Sequence, residues 1–222
     1  MHLVIGNKNY SSWSLRPWLL LRQFGVPFEE TRLPLDTPEF HQRIGHYSPT
    51  GRVPVLHLGD EVIWDSLAIC EVVNERHLAG RGWPDASAAR AATRCAAAEM
   101  HSGFSALRTQ LPMNCRRRPA IPHWDAAATA DIDRIQQLWR SLREQHGAGG
   151  DFLAGDFGIV DAMFAPVCVR FRAYGVPLGQ PAMDYVESIY ALPAMREWIA
   201  AALAEPEHLP ATDDMGVVRA NT

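Results

Sequence analysis

No cysteine precedes position 70, and the four that follow, Cys70, Cys95, Cys115 and Cys168, contain no Cys-x-x-Cys pair. That spacing excludes a disulfide framework and a paired redox motif, and it points to reduced structural thiols. Nine histidines are present, none with metal-ligand spacing beside an acid, so a metal centre has no support. Charge of either sign is also scarce, with a net of −4. A basic nucleic-acid footprint is therefore absent, and the one basic run, residues 116–118, reads as a solvated loop and at most a weak attractor of acidic ligands. No apolar run approaches the roughly 20 residues that cross a bilayer, and no basic region with an apolar core opens the chain. The expected setting is the cytoplasm, with neither membrane nor nucleic acid as partner.

What is present is a globular composition, 222 residues with 47% apolar and 21% charged side chains. The stretch around which the rest is organised is residues 3–21. Leu3 to Ile5 is a short β-branched run, Gly6 to Asn9 carries turn chemistry, and large apolar residues follow from Trp13 until Gly25 stops them. Ser11 and Ser12 thus sit where a helix begins. A hydroxyl there either caps the helix or joins its unpaired N–H groups in holding an anion, and the local sequence leaves both open.

Further on, residues 28–33 alternate as a strand, and Asp36-Thr-Pro-Glu opens a short helix. Residues 53–58 and 61–64 form a hairpin about Gly59-Asp60, and helical spacing resumes at Ser66, with Asp65 or Ser66 as its cap. Strand, helix, strand, strand, strand, helix makes a small four-stranded mixed sheet with helices packed on it. A composition break at residues 79–85 precedes an all-helical remainder. The expected division is 1–79, a linker at 80–86, and 87–222.

The alanine-rich residues 87–111 predict one long helix, with Gly103 marking a close contact or bend. Asp125 caps a second long helix that Gly147 stops. In residues 159–174 the apolar Met163, Phe164, Val167, Cys168, Val169 and Phe171 surround the axis and predict the buried centre of the helical part. Shorter helices follow over 183–190 and 193–204, and the tail after Pro206 either lies along the surface or is loose. Asp161, three residues after the cap position Gly158, supplies half a capping box. The missing half is a hydroxyl, so Gly158→Ser is expected to add a few tenths of a kcal/mol.

Four segments together carry a resemblance: Ser11-Ser-Trp-Ser-Leu-Arg16, Ser48-Pro-Thr-Gly-Arg-Val-Pro-Val-Leu56, Asp65-Ser-Leu-Ala-Ile69 and Phe157-Gly-Ile-Val-Asp-Ala-Met163. In this order they resemble the cytosolic glutathione transferases, over nearly the whole chain. The first is similar to the Ser-Ser-Cys-x-x-Arg signature of the zeta class, with Trp13 in place of cysteine, and Gly158 departs from the family's usual Ser or Thr. The resemblance implies an α/β N-terminal thioredoxin-like domain, an all-α C-terminal helical bundle domain and a homodimer.

It also implies residue roles. Ser11 falls on the catalytic serine, with Ser12 and Tyr10 as rival hydroxyls. Val53 and Pro54 match a cis-proline step whose first residue pairs its backbone with glutathione. Asp65 and Ser66 match the pair that holds the γ-glutamyl end, and Arg52, His41 or Arg43 would meet the glycyl carboxylate. Met100, His101, Phe104 and Ser105 are candidates for the second pocket. Glutathione is then a co-substrate, and the leading activity is its conjugation to a small hydrophobic or unsaturated electrophile, as in detoxification. The alternatives are a glutathione-dependent isomerase of the maleylacetoacetate type and a non-enzymatic member. A reductase needs a cysteine at the helix start, which is missing here.

Overall fold

The computed structural model describes residues 1–119 and 123–214. Strands β1 (His2–Ile5), β2 (Glu29–Arg32), β3 (Val55–Leu58) and β4 (Glu61–Trp64) form one four-stranded sheet in the order β2-β1-β3-β4. β1 and β2 run parallel, which requires the crossover helix α1 (Ser12–Gln23) between them. β1 meets β3 antiparallel, with Val4 opposite Val55, and Gly59, at φ +61°, turns β3 into β4. Thr37 caps the short α2 (Pro38–Arg43), its hydroxyl accepting from the Phe40 amide at 3.1 Å, with Pro38 at the first turn. α3 (Ser66–His77) closes this part of the chain.

The remaining elements are helices: α4 (Ser87–Ser102), α5 (Ser105–Gln110), α6 (Ala126–His146), α7 (Ile159–Tyr174), α8 (Gln180–Ala191), α9 (Pro193–Ala204) and a last turn, α10 (Pro210–Asp213). Asp125 caps α6 through the Ala128 amide at 3.0 Å. In α7 only Arg172 is exposed, because the helix is enclosed by α1, α4 and α8. Trp139 of α6 meets Phe164 and Tyr185 edge-on within that core.

Two expectations need correction. The single helix over 87–111 is broken, since Gly103 ends α4 and Phe104 takes a left-handed conformation at φ +60°. Arg108 makes the break tenable, because its guanidinium donates to the carbonyls of Met100, His101 and Gly103 that the helix end leaves open. The second concerns Gly158. It does begin α7, and Asp161 accepts its N–H at 2.9 Å. A Cβ there, however, would lie 2.7 Å from the Gly82 carbonyl oxygen, so the absent side chain is a packing requirement and serine does not fit.

Candidate active site at the start of the first helix

Ser11 is the N-cap of α1. Its oxygen accepts from the Ser14 amide at 3.3 Å, and its hydroxyl donates to Ser14 Oγ at 2.7 Å. Ser14 Oγ in turn accepts from the Gly6 amide at 3.1 Å, which ties the end of β1 to the helix. Ser12 occupies the first helical position. Its oxygen accepts from Arg170 Nη2 on α7 at 3.2 Å, and its own hydrogen has no acceptor among the described residues. Both serines are 6% exposed. Tyr10 points elsewhere: its hydroxyl donates to Asp213 at 2.9 Å and accepts from Arg116 and from the Leu209 amide. Burial, and then the Asp213 contact, raise its pKa.

The loop before Ser11 is clamped by the far end of the chain. Glu205 receives the Lys8 and Asn9 amides at 2.7 and 3.0 Å, and Arg116 donates to the Glu205 and Glu207 carbonyls. Arg116 is thus a structural cation and not part of a solvated loop. The tail lies on the surface as far as Asp214, and residues 215–222 fall outside those described.

Beside the helix start opens a cleft of about 500 Å³ lined by Trp13, Thr50, Arg52, Val53, Pro54, Trp64, Asp65 and Ser66. The Val53–Pro54 peptide bond is cis. Asp65 holds a positive φ of +74° as N-cap of α3 and accepts the Leu67 amide at 2.9 Å. Its other oxygen lies 3.3 Å from His101 Nε2 of α4, so a helix of the second half reaches the cleft wall. Ser66 is buried and accepts from Arg16 Nη1 at 3.2 Å. Arg52, Val53, Pro54, Asp65 and Ser66 therefore share one cavity, while Ser11 and Ser12 sit just off it, next to Trp13. His41 and Arg43 do not line it, Arg43 being paired with Glu39. Met100 and Phe104 go into the core, and of the residues nominated for a second pocket only His101 touches the wall.

Sequence reasoning missed the charge beneath this wall. Arg16 stacks under the Trp13 ring at 4.2 Å and Arg108 at 4.8 Å, and Arg170 completes a group of three guanidinium groups. No ion pair within 4 Å joins any of them among the described residues, and each keeps at least one buried N–H without an acceptor. Burial and then mutual repulsion pull Arg16 well below its ordinary pKa, and the same causes bring Arg170 down to about 9. The signal available was a lone arginine inside the otherwise apolar residues 162–171.

A mixed sheet of this order, a helical second half and a cleft of mixed polar and apolar lining beside a helix N-terminus define a two-domain protein of the glutathione transferase fold. Residues 10–76 match the glutathione S-transferase N-terminal domain and residues 85–201 its C-terminal domain, and the chain belongs to that family. It is similar to a glutathione transferase homologue from Burkholderia solved with bound glutathione, at TM-score 0.70 and 23% identity, over 92% of this chain and 98% of that one. It is also similar in fold to maleyl pyruvate isomerase, a bacterial zeta-class member, at TM-score 0.71 and 22% identity, over 94% and 100% of the two chains. A dichloromethane dehalogenase from Methylorubrum extorquens is 36% identical over 66 residues, a match that spans 28% of this chain and 22% of that protein. Among the described residues no helix is long and apolar enough to cross a membrane.

Proposed function

We propose that this protein binds glutathione in the cleft between Trp13, Pro54 and Ser66 and adds its thiol to a small electrophile, working as a cytoplasmic homodimer divided near residues 79 and 86. The observation that carries the reading is the shared cavity of about 500 Å³, lined by a backbone step at Val53–Pro54, an acid–hydroxyl pair at Asp65–Ser66 and the Arg52 cation. These suit the tripeptide's amide, its γ-glutamyl ammonium and carboxylate, and its glycyl carboxylate in turn. The sulfur then lies toward the start of α1, where Ser11 and Ser12 stand.

Making a thiol with an ordinary pKa near 8.5 mostly thiolate at neutral pH takes a shift of about 2 units, or about 2.7 kcal/mol. A helix start contributes about 0.3–1 kcal/mol, and one hydroxyl bond to the charged sulfur about 1.5–3 kcal/mol. Together they supply about 1.8–4 kcal/mol, a range that brackets the requirement, so a serine hydroxyl at this helix start supplies the larger share.

The three guanidinium groups behind Trp13 favour a second reading, an unsaturated acid as the electrophile, to which glutathione adds and from which it leaves after isomerisation. A panel of haloalkanes, halo-aromatics and unsaturated acids with glutathione separates the two by halide release against isomer formation. Ser66→Ala tests the shared premise: glutathione affinity measured by calorimetry should fall by about ten- to a hundredfold. Unaltered affinity with a lower melting temperature would make Ser66 only a partner of Arg16.

A further inference from the structure

We infer that Ser12, held by Arg170 across the junction of the two halves of the molecule, donates the hydrogen bond that stabilises the glutathione thiolate, with Arg170 as its positioning residue. This rests on the proposed binding of glutathione in the adjoining cleft. The two serines are equally buried but differently engaged. The Ser11 hydroxyl is already used, donating to Ser14 Oγ at 2.7 Å while its oxygen caps the Ser14 amide. Turning that hydrogen to a sulfur would give up the 2.7 Å bond to Ser14 Oγ, although the cap and the Gly6 bond, in which the two oxygens accept, would remain. Ser12 carries no such obligation. Arg170 Nη2 occupies its oxygen at 3.2 Å, and a hydroxyl whose oxygen accepts from a cation is left with its hydrogen free to point outward.

Arg170 is itself fixed. Its Nε donates to the Leu111 carbonyl at 2.8 Å, and it lies on the buried helix α7, which packs on α1. A serine at the first helical position can thus present one defined donor, at no cost of reorganisation, where negative charge develops on sulfur. The charge around the site is also one-sided. Near it are Arg16 from α1, Arg108 from α5 and Arg170 from α7, with His101 of α4 against the same Trp13 ring and paired with Asp65, and with the buried Cys70 thiol beside Arg16. Burial first, and next the Arg16 charge acting the other way, set the Cys70 pKa, with the net effect upward, so it stays neutral. Two carboxylates stand near these groups: Asp65, engaged by Leu67 and His101, and Asp131 of α6, which accepts the Leu107 amide at 2.9 Å and acts on Arg108.

The test reads the sulfur alone, as the ultraviolet absorbance of bound thiolate against pH, taken as the difference with and without glutathione to remove the exposed Cys95. Ser12→Ala should raise the bound thiol's pKa by about one to two units, with glutathione affinity changed less than about threefold at pH 6, where the bound thiol is mostly protonated in both proteins. Ser11→Ala should lower the melting temperature and leave that pKa in place. Arg170→Gln should raise it in the same direction as Ser12→Ala but by less, Arg170→Lys should restore most of the loss, and adding Arg170→Gln to Ser12→Ala should give no further shift. Ser12→Ala needs no arginine variant to fold, so it stands by itself. A pKa that moves with Ser11→Ala and not with Ser12→Ala overturns the assignment. An additive shift in the double variant overturns Arg170's action through Ser12, leaving direct charge stabilisation instead. Loss of all glutathione binding by the parent protein overturns the underlying reading of the cleft, and this inference with it.

Discussion

Placing a side chain at Gly158 separates what a cap motif promises from what packing allows. Serine there would complete the box with Asp161 and gain a few tenths of a kcal/mol over glycine. Its Cβ, though, would be built 2.7 Å from the Gly82 carbonyl oxygen, a backbone atom that cannot swing aside. The same oxygen accepts the Ile159 amide at 2.9 Å, and the Gly82 amide donates to Asn74 at 2.7 Å, so Gly82 is tied on both sides. Relieving the contact must therefore move the linker away from α7. Overpacking of this kind costs about 1–3 kcal/mol, and a lost Ile159 bond adds about 0.5–1.5 kcal/mol. These outweigh the cap gain several-fold. For a chain of this size each kcal/mol moves the melting temperature by about 2–4 °C, so Gly158→Ser should melt about 3–15 °C lower by scanning calorimetry. Gly158→Ala, which adds the Cβ without the hydroxyl, should fall at least as far. A melting temperature equal to or above the parent's in the serine variant would refute the packing argument and restore the capping one.

Tyr10→Phe should leave the pH profile of glutathione turnover unchanged, because the phenol faces Asp213, Arg116 and Leu209 and not the cleft. It should lower stability by about 1–2 kcal/mol in a denaturant titration, and a displaced pH profile would return Tyr10 to the list of thiol-activating groups. Burial pushes the Asp161 carboxyl up to about 6 against the donors Leu153, Gly158 and Tyr185. A raised folded pKa means the native state binds that proton more tightly, so the stabilisation is full below the unfolded value of about 3.9 and is lost as pH rises through about 6. Stability of the parent minus that of Asp161→Asn should therefore grow toward acid between about pH 7 and 4, by up to about 3 kcal/mol. A difference that is flat, or that grows toward base, would refute the assignment.

Features governed by short-range chemistry were legible in the amino-acid sequence. The turn at Gly59, the caps Thr37, Asp65 and Asp125, the alternation of the strands and the all-round apolarity of residues 162–169 each act within a few residues of where they are written. The sheet and most helix boundaries followed from them, and the family from the resemblance that four short motifs carry. Only the tertiary structure decided the rest, because the deciding partners are distant in the chain. Whether Gly158 wants a hydroxyl depends on Gly82, and whether Tyr10 can serve a thiol depends on Asp213. The break at Phe104 is tenable because Arg108 reaches back to the carbonyls of α4. The hydrogen of Ser12 is free because Arg170, 158 residues away, occupies its oxygen. A side chain's neighbours within a helical turn are set by local geometry, whereas the direction of a hydroxyl and the fate of a buried charge are set by whichever groups the fold brings alongside.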